Sequence, residues 1–162
     1  MSALVSGLVT SSDSLRVLRV NDNWLKSGAT VHLINLLLSA QKIEELDISD
    51  GNMGTVNVIA AIRALKSGSK LLRKFSCNYN DVESRKCARE CLELLLALEH
   101  IKEIEFVGNV ESHKLRGEFY ERFEKRELKL DEEDFDPQES DIEESEDEVD
   151  LSELDELSER FE

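Results

Sequence analysis

The chain is poor in the groups on which catalytic and metal chemistry depend. Histidine occurs three times, at His32, His100 and His113, in different parts of the sequence, and forms no triad or ligand pair. Cysteine also occurs three times, at Cys77, Cys87 and Cys91, an odd count with no secretory signal. Each falls on an apolar position, which predicts reduced core thiols in an intracellular protein. Cys87 and Cys91 stand four apart on a helix, but no His or further Cys joins them at ligand spacing, so no metal is expected. Glycine-rich phosphate loops and transmembrane runs are missing, and nothing calls for a cofactor or a membrane. These absences predict a protein that is not an enzyme.

Basic charge is not gathered into a face wide enough for nucleic acid. Lys66, Lys70, Arg73 and Lys74 do cluster, a patch of the size of a solvated rim that also suits an acidic partner or the chain's own tail. The acidic charge is gathered. Residues 131–162 hold eighteen Asp and Glu against Arg160, a net of −17 in a chain of −16, so residues 1–130 carry about +1. Pro137, the only proline, lies in this stretch. Such a segment buries too little apolar surface to fold alone, so residues 1–130 are expected to form one domain and 131–162 a disordered acidic tail open to a basic protein. Ser140, Ser145 and Ser152 each precede an acidic residue by three, the pattern of acidophilic kinases. Leu151, Leu154, Leu157 and Phe161 would share one face if residues 149–162 became helical on binding.

What is present is a repeat. "LRVLRVNDNWL" begins at Leu15, "IEELDISDGNM" at Ile43, "LRKFSCNYNDV" at Leu72 and "IKEIEFVGNV" at Ile101, with offsets of 28, 29 and 29. Apolar residues recur at positions one, four and six: Leu15/Leu18/Val20, Ile43/Leu46/Ile48, Leu72/Phe75/Cys77 and Ile101/Ile104/Phe106. Position nine is Asn23, Asn80 or Asn109, and Gly51 in the second copy, beside Asn52. This is a leucine-rich repeat. Positions four and six face one side of a short strand, and the asparagine is expected to bond backbone groups of neighbouring coils.

Between the strands the period becomes helical. Val31, Ile34, Leu37 and Leu38 are expected on one face, and Val58, Ile59, Ile62 and Leu65 on another. Ser27, Thr55 and Ser84 stand where N-caps belong, and Gly68 where a C-terminal glycine would sit. Coils of 28 to 29 residues have room for a full helix, so the expected fold class is an α/β solenoid of the ribonuclease-inhibitor type. Its parallel sheet lies inside and its helices outside. After the fourth repeat, Leu115, Phe119 and Phe123 follow Ser112 at four-residue spacing, predicting a helical cap over 112–128 with Glu118/Arg122 and Glu121/Lys125 pairs. Upstream, Leu4, Val5, Leu8 and Val9 read as the helix of a preceding coil without its strand. That predicts either the C-terminal part of a longer solenoid or a shortened relative that needs a partner at this end.

Polar residues between and after the apolar strand positions face away from the core. In the first repeat these partner-binding candidates are Arg19, Asn21, Asp22, Trp24 and Lys26, and in the third Lys74 and Asn78. Trp24, between polar neighbours, is either an exposed anchor or packs on the next coil's turn.

Long repeats such as "LRVLRVNDNWLKSGA" and "IKEIEFVGN", an amphipathic cap and an acidic tail together resemble the C-terminal half of a Ran GTPase-activating protein. That family stimulates GTP hydrolysis by a transport GTPase without an arginine finger, by orienting the GTPase's own glutamine. The resemblance implies a Ran-type partner, a role in nucleocytoplasmic transport and a cytoplasmic, perinuclear or nuclear location. The family's functional arginine and asparagine belong to N-terminal repeats with no counterpart here, so no catalytic position is carried over. The alternative is a non-catalytic acidic leucine-rich nuclear adaptor that binds basic proteins such as histones, although that family uses shorter repeats.

Overall fold

The computed structural model describes residues 7–8, 12–25, 27–82, 84–110, 112–123 and 126–130. The acidic segment 131–162, with its expected terminal helix, lies outside the described residues. So do Leu4, Val5 and Val9, while Leu8 packs on the core.

Each strand has three residues: β1 Val17–Arg19, β2 Glu45–Asp47, β3 Lys74–Ser76, β4 Glu103–Glu105 and β5 Glu127–Lys129. They form one parallel sheet in chain order. The register aligns Leu18, Leu46, Phe75, Ile104 and Leu128 across it. The first four of these are buried. Helices α1 Ser27–Ser39, α2 Thr55–Gly68, α3 Arg85–Leu96 and α4 His113–Arg122 connect successive strands and pack on one another in chain order. A strand of three residues bonds poorly alone, and the coil is held instead by burying positions one, four and six against a helix. This is the α/β leucine-rich-repeat solenoid, with helices on one face of the sheet and, among the described residues, no layer on the other.

Buried asparagines tie coil to coil. Asn80 donates through Nδ2 to the Ile48 carbonyl at 2.9 Å, and its Oδ1 accepts from Gly51 N at 3.1 Å and Met53 N at 3.3 Å. Asn109 repeats the motif one coil on, donating to the Cys77 carbonyl at 2.7 Å and accepting from Asn80 N at 2.9 Å. The bonds run towards the preceding coil. Asn23 is an exception: it is exposed and bonds only its own loop, at the Asn21 and Val20 carbonyls. Gly51 interrupts the ladder because a Cβ there would come within 2.9 Å of Asn80 Oδ1.

Several local expectations are corrected. The buried face of α1 is Leu33, Ile34, Leu36 and Leu37, with Val31 and Leu38 half-buried, because Thr30 Oγ1 bonds the Leu25 carbonyl at 2.6 Å and sets that turn inward. The α2 face of Val58, Ile59, Ile62 and Leu65 is buried as expected. Thr55 is not the α2 cap: Gly54, at φ 73, is, and Thr55 is the first helical residue. Ser27 likewise opens α1. Ser84 and Ser112 do cap, accepting from Cys87 N and Leu115 N. Gly68 ends α2 for steric reasons rather than as a left-handed cap, since a Cβ there would lie 2.2 Å from the Leu37 carbonyl oxygen. The expected 112–128 helix stops at Arg122, and a fifth strand follows. Phe119 and Phe123 are buried with ring centroids 6.2 Å apart.

Ion pairs clamp the helix layer across coils. Arg63 bonds Glu90 at 2.7 Å, Arg89 bonds Glu118 through Nη2 at 2.7 Å, and Arg122 bonds Glu93 through Nη2 at 2.8 Å. The expected Glu118/Arg122 pair within α4 is looser, at 3.9 Å. Lys125, of the Glu121/Lys125 pair, lies outside the described residues.

Candidate functional site: the open sheet face and its loops

The two outward-facing rows of the sheet follow from register. One is Val17, Glu45, Lys74, Glu103 and Glu127; the other is Arg19, Asp47, Ser76, Glu105 and Lys129. Opposite charges therefore stand beside one another, and most of them pair. Arg19 Nε donates to Glu45 Oε1 at 2.6 Å, which raises the Arg19 pKa. Lys74 Nζ donates to Glu103 and, at 3.1 Å, to Glu105. The hydrogen bond to Glu103 outweighs partial burial and pushes Lys74 up to about 12. Burial pushes Glu105 up, but hydrogen bonds from Lys74 and Asn78 outweigh it and leave that carboxyl below its usual range.

The candidates thus divide into two groups. Lys74 and Asn78 are committed within the sheet: Asn78 Oδ1 accepts from Val107 N at 2.8 Å, and its Nδ2 donates to Glu105 Oε2 at 3.3 Å. Those bonds already meet most of what the two side chains offer. The loop after β1 is different. Asp22, at φ 56, is held by its N–H to the Ser49 carbonyl at 3.0 Å, and Asn21 Nδ2 bonds Asp22 Oδ2 at 2.7 Å. Leu25 is buried and its N–H reaches the Gly51 carbonyl at 2.7 Å. Between these two anchors Trp24 is 72% exposed. Lys26 lies outside the described residues.

The sequence reading missed Tyr79. It is 40% exposed with φ 51, a backbone conformation rarely adopted by bulky residues. A Cβ on Gly108 would come within 2.3 Å of its ring, so glycine makes room for the tyrosine. The signal was available: repeat position eight is Asp22, Asp50, Tyr79 and Gly108, all with positive φ, and the aromatic is the odd member.

The cysteines are buried free thiols. Burial raises the pKa of Cys77 and Cys91 well above the ordinary thiol value, which suppresses the reactive thiolate. Among the described residues there is no metal-ligating cluster and no helix long and apolar enough to cross a membrane.

Neither protein-family profiles nor curated proteins match the chain. Solved structures match at the level of fold. The leiomodin-1 actin-binding site 2 superposes with a TM-score of 0.62 at 12% identity, over 77% of this chain and 73% of that one. The tropomodulin C-terminal domain of Caenorhabditis elegans superposes with a TM-score of 0.57 at 10% identity, over 75% of this chain and 92% of that one. At these identities the likeness is one of fold, a leucine-rich-repeat-like domain.

Proposed function

We propose that the chain is a non-catalytic protein-binding module that presents the open sheet face and the loop after β1 to a folded partner. The observation that carries this is Trp24, 72% exposed on a loop whose flanking residues are pinned to the next coil. A large amphipathic side chain on an immobilised backbone loses little entropy on docking, which is why tryptophan anchors interfaces. Asn21 and Asp22, on the same loop, supply polar contacts.

The finer reading is a Ran-type GTPase as partner. It is supported by 28–29-residue coils with helices of 13, 14 and 12 residues in the first three, the geometry that the resemblance implies. A second reading, actin, is favoured by the superposition on the leiomodin-1 domain. Calorimetric titration of the full chain with GTP-loaded Ran and with monomeric actin separates them. Binding of Ran alone supports the first and binding of actin alone the second; absence of both, at protein concentrations in the tens of micromolar, overturns both.

A further inference from the structure

A second surface lies at the opposite end of the strands, where each helix returns to the next strand. Here a groove runs between the α2–β3 and α3–β4 connections, with Leu72, Ala97 and Leu98 lining it and Lys66, Lys70 and His100 on its rim. Leu71 stands 43% exposed beside it. Arg73 and Lys102 continue the rim, linked through Lys102 N and the Arg73 carbonyl at 2.8 Å. Lys66, Lys70, Arg73 and Lys102 are all exposed. Arg16, Arg19, Arg63, Lys74, Arg89 and Arg122 each have a carboxylate partner. The four rim cations have none among the described residues, and Glu99 is the only carboxylate lining the groove. The exposed Leu71 and Ala97 among these cations are complementary to an acidic segment with an apolar stripe.

The chain carries such a segment. Residues 149–162, "VDLSELDELSERFE", set Leu151, Leu154, Leu157 and Phe161 at helical spacing among six Asp and Glu and one Arg. We propose that residues 149–162 dock in this groove, with the leucines against Leu71, Ala97 and the edge of Leu98 and the carboxylates against Lys66, Lys70, Arg73 and Lys102. The reach is sufficient. Residues 131–148 extend up to roughly 60 Å from Leu130. The groove is separated from β5 by a few strand spacings of about 4.8 Å and one three-residue strand of about 10 Å. The contact is independent of the partner surface around Trp24, which lies at the other end of the strands, so failure of one leaves the other standing. Being ionic and exposed, it weakens as salt rises. Phosphate on Ser152 would add about −1.5 to −2 charges beside the rim and tighten it.

Paramagnetic broadening in the full chain tests this. A nitroxide placed at Ser152→Cys reacts selectively, because the three native thiols are buried. The expected result is selective loss of amide signal at Lys66, Lys70, Leu71 and His100 in low salt, with Asn52 and Gly108 at the opposite end unaffected. High salt, Lys66→Glu with Lys70→Glu, and Leu154→Ser with Leu157→Ser should each restore the signal. The last pair lies outside residues 1–130, so its effect is not one on the fold of the solenoid. Broadening spread evenly over both ends would overturn the proposal. Loss that appears only when spin-labelled chain is mixed with separately isotope-labelled chain would assign the contact to a second copy and overturn it equally.

Discussion

Replacing Asn80 with alanine isolates the interaction that joins successive coils. The side chain is fully buried, and five bonds end on it: from Gly51 N and Met53 N, and to the Ile48 and Asn78 carbonyls and Cys77 Sγ. Alanine strands two buried N–H groups and a carbonyl, each worth about 1–3 kcal/mol when unsatisfied. Relaxation and entering water recover part of this, so the expected loss is about 3–5 kcal/mol. For a folded body of about 130 residues that lowers the melting temperature by roughly 10 °C or more. Far-ultraviolet circular dichroism during urea and thermal unfolding measures it. Asn23→Ala is the control: Asn23 occupies the same repeat position but is exposed and bonds only its own loop, so its loss should stay within about 1 kcal/mol. A cost for Asn80→Ala below about 1 kcal/mol, or equal costs at the two sites, would refute the ladder as the element that couples coils.

Gly68→Ala should destabilise by about 1–3 kcal/mol, since its Cβ would press on the Leu37 backbone rather than on a flexible side chain; a stability gain in the same unfolding assay would contradict this. The thiols provide a pH test. Burial raises the Cys77 and Cys91 pKa above the ordinary 9.0, so their contribution to stability is complete below that value and is lost as pH climbs past it. Urea midpoints that stay flat through pH 10, or thiols that react with a disulfide reagent in the folded state, would contradict it. At the acid end Glu93, Glu105 and Glu118 have lowered pKa values, so the stability they confer is present above the ordinary carboxyl value of 4.5 and lost as pH falls below it. Single-turnover GTP hydrolysis by Ran should be little changed by the chain; acceleration of about a thousandfold would mean that the loop after β1 supplies catalytic contacts.

The solenoid was legible because its strand signal is written four times in register, and a period of two among apolar residues leaves few alternatives. What escaped depended on neighbours one coil away. Gly68 is required by the Leu37 carbonyl 31 positions earlier, and the α2 cap by a left-handed Gly54, neither visible in local pattern. The fifth strand was missed because α4 is short: Leu128 aligns with Ile104 only 24 residues on, and repeat position one has no apolar residue there. At the candidate site, Lys74 and Asn78 read as available polar groups until Glu103 and Val107, 29 residues downstream, are seen to occupy them. Trp24 was ambiguous in sequence, since an indole between polar neighbours fits both surface and turn packing. Tyr79 was overlooked because the repeat was read for its apolar positions and not for its left-handed ones.

The central claim, that the loop after β1 is a protein-docking surface, is tested most directly by comparing the wild-type chain with Trp24→Ala. Both would be titrated calorimetrically with GTP-loaded Ran and with monomeric actin, and both melted in parallel. One of these proteins should bind, the substitution should weaken it about tenfold or more, equivalent to about 1.4 kcal/mol, and the melting temperature should be unchanged, as expected for a side chain left mostly in solvent. Equal affinity of wild type and variant, or a fall in melting temperature with affinity intact, would contradict it.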